Sequence, residues 1–273
     1  MPPGSAERAE RIDGPDDPRV EEYRHIAEPE LVRVRGLFIA EGRLVVRRLI
    51  EETRYDVRSL LLSDAALRSL EPSLAALAPA VPVYVCGAAD FLAITGHDLH
   101  RGCLALAARP EPVSIDALLE PARTAIVLEA VGNADNVGGV FRNAAAFGAG
   151  PVLLSPTCCD PLYRKAIRTS MAATLRVPFA RIDPWPDALS VLRAHGFALV
   201  ALTPRDPAED LEAFASRARG EKLALLVGNE GAGLTPAVEA TADYRVRIPI
   251  RSGMDSLNLA VAAGIAIYRL HRA

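Results

Sequence analysis

The second half of the chain alternates short apolar segments with stretches of helical periodicity, and this alternation limits the possible folds more than any other feature. Six segments are apolar enough to form buried strands: 124–131, 150–155, 177–182, 197–204, 222–229 and 244–250. Helical stretches separate most of them, and strands that are joined through helices run parallel. Strands that are apolar on both faces need cover on both sides. The sequence therefore predicts an α/β fold with a mostly parallel sheet covered on both faces.

The first part of the chain is organised differently. Residues 1–20 are rich in proline, glycine and charge, which predicts a disordered or loosely attached tail. Residues 21–110 combine helical spacing in EGRLVVRRLIEE with short buried segments, VRSLLLSD, VPVYVCG and GCLALAARP, which predicts a small α/β domain. The stretch RPEPVSID, residues 109–116, has two prolines that discourage regular structure. We therefore expect a linker there, followed by a second domain over residues 118–273.

Composition and charge exclude several classes of protein. The 273 residues have a formal net charge of −3 at pH 7, so a nucleic-acid partner requires a local basic patch. The four cysteines lack the spacing of metal ligands, and the adjacent pair Cys158 and Cys159 is poorly placed to form a disulfide, which favours reduced thiols and no metal. The sequence shows no signal region and no apolar run of about 18 residues. We therefore expect a soluble cytoplasmic protein without a membrane partner.

Three polar stretches that contain glycine follow predicted strands of the second domain. They are NADNVGGVFRNAAAFGAG (133–150), GNEGAGL (228–234) and RSGMDSLN (251–258). Because the carboxyl ends of parallel strands meet at one edge of a sheet, ligands bind there. The three stretches therefore predict a single ligand site.

Each stretch taken singly also has a purely structural interpretation. Asn136 is a candidate cap of the helix that follows it, and Ser256 or Asp255 is a candidate cap of the last helix. The later glycines of GNEGAGL suit a tight turn. These interpretations leave unexplained why all three stretches follow strands of one domain.

Together the three stretches resemble the three motifs of the SpoU (TrmH) branch of the SPOUT RNA methyltransferases, in the same order and at suitable spacing. DPLYRKAIRTSMAATLRVPF (160–179) resembles the segment between the first two motifs, and GLFIAEGRLVVRRLI and HDLHRGCLALAARP resemble the substrate-binding domain that many members place first. The resemblance spans most of residues 30–273. It implies transfer of a methyl group from S-adenosylmethionine to a ribose 2′-hydroxyl of RNA. It also implies a homodimer whose C-terminal SPOUT domain is tied into a trefoil knot.

The resemblance assigns roles to individual residues. Arg142 matches the catalytic arginine of the family; because arginine stays protonated, we expect it to bind the RNA phosphate, orient the 2′-hydroxyl and stabilise developing negative charge. The glycines that precede it, Gly138 and Gly139, are expected to permit close approach of RNA. The polar groups around the ribose and the methyl donor are expected from Asn136, Glu230, Ser256 and Asn258. Cofactor contacts are expected from Gly228, Ile248 and Leu257.

Binding of RNA requires local positive charge, which two groups of residues offer. One group belongs to the N-terminal domain and includes Arg43 and Arg47, for which a solvated charged face is the alternative interpretation. The other lies in residues 160–179 and comprises Arg164, Lys165 and Arg168. We favour rRNA over tRNA as the substrate. The sequence departs from the family at Asn143, where many members have Thr, and at Ala172, where Gly is common.

Two other functions compete with this interpretation. The first is a non-catalytic RNA-binding protein of the same fold, against which the intact Arg142, Glu230, Ser256 and Asn258 argue. The second is a dinucleotide-dependent oxidoreductase. That class places G-x-G-x-x-G after the first strand of its nucleotide-binding domain, and neither domain has this pattern there.

Overall fold

The computed structural model of this chain describes residues 8–24, 28–52, 54–96, 102–254 and 256–271. It falls into two units, unit 1 with Met1–Glu111 and Leu162–Leu175, and unit 2 with Pro112–Pro161 and Arg176–Ala273. Across the described ranges, no helix has both the length and the apolar character needed to cross a membrane.

Unit 1 is built on a mixed five-stranded sheet. Its strands are β1 (Ala9–Arg11), β2 (Leu37–Glu41), β3 (Val57–Ser63), β4 (Val83–Cys86) and β5 (Cys103–Ala108). They lie in the order β1-β4-β3-β5-β2, in which β5 pairs antiparallel with β2 and β3 while the other pairs are parallel. The α-helices are α1 (Arg43–Glu51), α2 (Asp64–Leu74), α3 (Ala88–Thr95) and, from the later part of the chain, α6 (Arg164–Thr169).

Unit 2 is built on a sheet of seven strands, all of which pair in parallel. The strands are β6 (Thr124–Leu128), β7 (Val152–Leu154), β8 (Phe179–Arg181), β9 (Phe197–Leu202), β10 (Glu209–Asp210), β11 (Lys222–Val227) and β12 (Tyr244–Arg247). Their order is β10-β12-β9-β11-β6-β7-β8. The helices are α4 (Ile115–Leu119), α5 (Ala134–Phe147), α7 (Ser190–Ala194), α8 (Leu211–Arg217), α9 (Pro236–Thr241) and α10 (Leu259–His271). The predicted α/β fold with a mostly parallel sheet is therefore confirmed.

Both faces of this sheet are covered. Along β6, Ala125 and Val127 belong to a buried cluster that also contains side chains of α4, α7 and α9. Side chains alternate between the two faces of a strand, and the intervening Ile126 and Leu128 are fully buried as well. On the other layer, α10 packs against both α5 and β11. Burial of all positions of a strand is the physical reason for its unbroken apolar sequence.

The N-terminal segment differs from the predicted disordered tail. Residues 8–20 belong to unit 1, where β1 pairs in parallel with β4. Val20 is fully buried, and Arg19 forms an ion pair of 2.6 Å with the buried Asp17. Because the partner strand of β1 lies far along the chain, the local composition gives no sign of this order. Residues 1–7 lie outside the described residues.

The segment Leu162–Leu175 also departs from the predicted boundaries, because it groups with unit 1 and interrupts the predicted second domain, residues 118–273. Arg164 forms an ion pair of 3.2 Å with Glu28, and Arg168 forms one of 3.0 Å with Glu41. These partners are distant in sequence, so periodicity and composition do not reveal the association.

Both departures from the family pattern have a structural account. Ala172 has a φ of 67°, in the left-handed region that costs a non-glycine residue about 1 kcal/mol, which explains why glycine is common there. Asn143 lies on α5, and its Nδ2 donates to the carbonyl oxygen of Ala260 at 2.8 Å. A Cβ at Gly264 would lie 2.6 Å from that Nδ2, so Asn143 and Gly264 are matched in size at the contact of α5 with α10.

Candidate active site

A cavity of about 570 Å³ lies in unit 2 beyond the carboxyl ends of β9, β11 and β12. Cavities of this size accommodate a nucleoside-sized ligand. Apolar side chains and polar groups both line it. The sequence-predicted residues among its lining are Asn136, Gly228, Glu230, Ile248, Ser256, Leu257 and Asn258.

The first of the three stretches forms the beginning of α5. The side chain of Asn133 caps this helix by accepting a hydrogen bond of 2.8 Å from the N–H of Asp135. The interpretation of Asn136 as the cap is therefore wrong. Asn136 lies one turn further along, where it is buried and lines the cavity.

Hydrogen bonds join the three stretches to one another. Asn258 Nδ2 donates to Asn136 Oδ1 at 3.0 Å, and Asn136 Nδ2 donates to Glu230 Oε1 at 3.1 Å. Asn258 Oδ1 accepts from the N–H of Val261 at 3.2 Å, so Asn258 caps α10 and Ser256 does not. The competing cap, Asp255, lies outside the described residues. The chain Asn258–Asn136–Glu230 fixes the orientation of both amides at the rim of the cavity.

Glu230 is held as an anion. Burial alone would raise the pKa of its carboxyl, but hydrogen bonds from Asn136 and from backbone N–H groups, including that of Asn133, outweigh burial and lower the pKa below its ordinary value of 4.5. The amino-terminal end of α5 also favours negative charge at this position. A carboxylate with a lowered pKa is a poor proton acceptor at neutral pH. Glu230 is therefore better suited to hold Asn136 by a hydrogen bond than to remove a proton from a substrate.

The second stretch forms a tight loop. The N–H and carbonyl groups of Asn229 and Gly233 bond reciprocally at 3.0 Å, and Asn229 Oδ1 accepts from the N–H of Gly231 at 2.8 Å. Gly233 has a φ of 72°, so the interpretation of the later glycines as turn residues agrees with the structure. Gly228 is required by the loop itself, because a Cβ there would lie 2.1 Å from the carbonyl carbon of Gly233.

The two glycines of α5 lie where this helix packs within unit 2. Gly138 is buried, and a Cβ at Gly139 would lie 2.6 Å from the Cβ of Ala260. Gly139 thus allows α10 to pack closely on α5. Burial of Gly138 argues against close approach of RNA at that residue, whereas Gly139 is partly exposed and its approach to RNA stays a prediction.

Among the predicted catalytic and cofactor-binding residues, Arg142 is the one that does not line the cavity. It is exposed on α5 and is not part of the cavity lining. Arg142 lies six positions after Asn136, which corresponds to about 9 Å along the helix and about 120° around it. Its guanidinium therefore faces a surface other than the one that Asn136 faces.

The predicted RNA-binding residues lie together in unit 1, on α1 and α6. Several are paired with acidic side chains: besides the two ion pairs of α6, Arg47 lies 3.8 Å from Glu51. Lys165 is exposed, and Arg43 is half-buried at the start of α1. The positive charge of this group is therefore partly compensated. In the described part of the chain, no group of three or more His, Cys, Asp or Glu side chains is arranged to hold a metal ion.

Two cavity residues, Thr203 and Arg205, were not predicted from the sequence. They follow β9, for which the segment 197–204 predicts a strand and no site residue. The rule that ligands bind at the carboxyl ends of parallel strands applies to this strand as well. The signal in the sequence is a polar pair directly after an apolar strand.

Known proteins resemble this chain over nearly its whole length. A profile of the SpoU rRNA Methylase family matches residues 123–268. A tRNA/rRNA methyltransferase of Mycobacterium tuberculosis is 42% identical over 263 residues, which cover 94% of this chain and 90% of that protein. The 23S rRNA (guanosine(2553)-2′-O)-methyltransferase RlmP of Bacillus subtilis is 26% identical, covering 95% and 98%. The AdoMet-bound rRNA methyltransferase of Sinorhizobium meliloti has the same fold, with a TM-score of 0.84 at 24% identity, covering 97% and 98%.

Proposed function

This chain belongs to the SpoU rRNA methylase family, and on that basis we propose that it transfers the methyl group of S-adenosylmethionine to a ribose 2′-hydroxyl of RNA. The observation that supports this most directly is the hydrogen-bonded chain Asn258–Asn136–Glu230, which joins the three motifs at the rim of one cavity. The hydroxyl oxygen must be held in line with the methyl group that it attacks. Fixed amides at the rim suit that task.

The cavity fits the proposed cofactor. Ile248 and Leu257 offer apolar surface for the adenine ring, and the loop that begins at Gly228 offers backbone groups. When bound, S-adenosylmethionine supplies an electrophilic methyl group on a sulfonium, and this chemistry requires no metal. The anionic Glu230 at the rim favours a cationic ligand nearby.

The remaining roles concern the RNA. Arg142 binds the phosphate next to the reacting ribose through paired N–H groups, orients the 2′-hydroxyl and stabilises the charge that develops on its oxygen. Asn136 and Ser256 contribute polar contacts to the ribose, and the basic residues of unit 1 bind the RNA backbone. Electrostatic binding of this kind is the general basis of affinity for RNA.

The proposed cofactor is tested by calorimetry on the full chain. S-adenosylmethionine and S-adenosylhomocysteine should both bind, because the adenosine moiety that they share occupies the cavity. NAD should not bind. Absence of heat with both methionine derivatives at about 0.1 mM protein would contradict the proposal, and binding of NAD alone would favour the oxidoreductase.

The proposed substrate is rRNA. Mapping of 2′-O-methyl groups in total RNA from cells with and without the gene should show one or more sites in rRNA that depend on the gene. If the gene-dependent sites lie only in tRNA, the proposed reaction would still hold, but the proposed substrate, rRNA, would be wrong.

We further propose that the protein acts as a homodimer formed through α10. Three apolar side chains at helical spacing are exposed on this helix: Val261 (52%), Ile265 (38%) and Tyr268 (38%). Leu257 and Met254, just before the helix, are 37% and 64% exposed. Exposed apolar side chains at helical spacing on a chain of nearly balanced charge suit a self-complementary interface with a second copy.

The dimer is tested by a double substitution, Val261→Asp with Ile265→Asp. Since burial of unpaired carboxylates is costly, the variant should be monomeric by light scattering while the unaltered chain is dimeric. Val34→Asp is the control, because Val34 is 79% exposed in unit 1 and should have no effect on assembly. A stable monomer of the unaltered chain that methylates RNA would contradict the proposal.

A further inference from the structure

The cavity has a second charged residue, Arg205, to which neither the family motifs nor the reaction described above assigns a role. Arg205 follows β9 and lines the cavity together with Asn136 and the loop 228–234. Among the described residues that line the cavity, Arg205 and Glu230 are the ionisable ones. Its contacts are directed at the loop 228–234.

The guanidinium of Arg205 bonds to the later half of that loop. Nη2 donates to the carbonyl oxygen of Ala232, and Nη1 donates to that of Leu234 at 3.4 Å. A Cβ at Gly233 would lie 3.4 Å from the same Nη2, so the guanidinium also packs against the intervening residue. The planar group thus holds two carbonyls of the loop at once, those of Ala232 and Leu234, which a single ammonium does not reproduce.

Two buried residues, Thr203 and Glu239, hold both the backbone N–H and the guanidinium of Arg205 in place. Thr203 Oγ1 accepts from the N–H of Arg205 at 3.2 Å and donates to Glu239 Oε1 at 3.0 Å. Glu239 is 7% exposed, and its Oε1 also forms an ion pair with Arg205 Nη1 at 3.4 Å. The position of the guanidinium is therefore set by β9 and α9, and the loop is held relative to both.

From this geometry we infer that Arg205 is a positioning residue for the cofactor: it holds the loop 228–234 in the conformation that binds S-adenosylmethionine. The inference rests on the proposed function, because it concerns the ligand proposed for this cavity. It predicts an effect on cofactor affinity and little effect on the chemical step, since Arg205 bonds to the loop 228–234 and contacts none of the groups assigned to the ribose.

The test compares Arg205→Ala, Arg205→Lys and Arg193→Ala by calorimetry and methylation kinetics. Arg193 is the matched control: it also bonds to a backbone carbonyl, that of Thr241, and to a carboxylate, that of Asp243 at 2.6 Å, but it does not line the cavity. Arg205→Ala should raise the Kd and the KM for S-adenosylmethionine at least about tenfold, the scale of losing hydrogen bonds from a charged group. The kcat at saturating cofactor should stay within about twofold, and amide hydrogen exchange should accelerate at residues 229–234.

Arg205→Lys should give an intermediate Kd, and Arg193→Ala should leave the Kd unchanged. If Arg205→Ala does not fold, the Kd of Arg205→Lys tests the inference instead, because this variant keeps a cation beside Glu239. An unchanged Kd in a folded Arg205 variant would overturn the inference, as would an equal rise in Arg193→Ala. Failure of the unaltered chain to bind S-adenosylmethionine would instead overturn the proposed function, and with it this inference.

Discussion

Gly228→Ala should abolish measurable binding of S-adenosylmethionine. A Cβ at this position would lie 2.1 Å from the carbonyl carbon of Gly233 and 2.2 Å from the backbone nitrogen of Leu234, at the other end of the loop. Because both obstacles are backbone atoms, the loop itself must move. Overpacking costs about 1–3 kcal/mol, the upper part of which corresponds to about a hundredfold in Kd when only the displaced loop relieves it. Calorimetry should therefore show a Kd raised at least about a hundredfold.

The control for this substitution lies three residues further along the same loop. A Cβ at Gly231 would meet Asn229 Oδ1 at 3.6 Å, an ordinary van der Waals contact. Gly231→Ala should therefore bind S-adenosylmethionine nearly as well as the unaltered chain. Wild-type affinity in Gly228→Ala would show that the loop adapts and does not define the cofactor site. Equal losses in both variants would show that alanine anywhere in the loop disturbs binding, and that the steric argument is wrong.

The sequence predicts the sheet of unit 2 well because six of its seven strands have a local signal; the short polar strand β10 has none. Segments such as 222–229 are apolar throughout, since β11 lies between two other strands and is covered on both faces. The strands end a few residues earlier than predicted, at Val227 in this example, where the glycine-containing loop begins. The change from apolar to polar residues locates the site reliably, but it does not give the last residue of the strand.

Associations between distant segments had no such signal. The pairing of β1 with β4 and the inclusion of residues 162–175 in unit 1 depend on contacts such as Arg164 with Glu28. A lone charged residue in a polar segment looks the same whether it is solvated or paired. Composition therefore predicted a tail over residues 1–20 where the structure has an edge strand. The family assignment was nonetheless confirmed, because it depended on the three motifs.

Within the site, the sequence predicted which residues lie together and misjudged why some are present. Asn136, Glu230 and Asn258 do form one hydrogen-bonded chain. The glycines proved to serve packing of the chain on itself: Gly139 admits α10, and Gly228 admits its own loop. A glycine required for a backbone crossing and one required for a ligand are identical in sequence. Distances to the neighbouring backbone are needed to tell them apart.

Arg142, the predicted catalytic arginine, lies away from the cavity, so its effect on methyl transfer can be measured separately from cofactor binding. It is exposed on α5, while the neighbouring Val140 and Phe141 are fully buried and hold the helix. Loss of an exposed side chain usually changes stability by less than about 0.5 kcal/mol. Since Arg142 does not line the cavity, the site of the cofactor is also independent of it. An effect of its removal on methyl transfer therefore reports on contact with RNA.

Arg142→Ala should lower methyl transfer at least about a hundredfold, the scale of losing one positioned catalytic group, while the Tm and the Kd for S-adenosylmethionine stay nearly unchanged. Arg142→Lys should restore only part of the rate, because an ammonium keeps the charge and loses the paired N–H geometry. The double substitution Arg43→Ala with Arg47→Ala supplies the contrast: it should weaken binding of RNA and flatten its salt dependence. Single-turnover rates at saturating RNA distinguish the two classes. Near wild-type turnover in Arg142→Ala would identify the residue as a solvated side chain and refute the proposed mechanism.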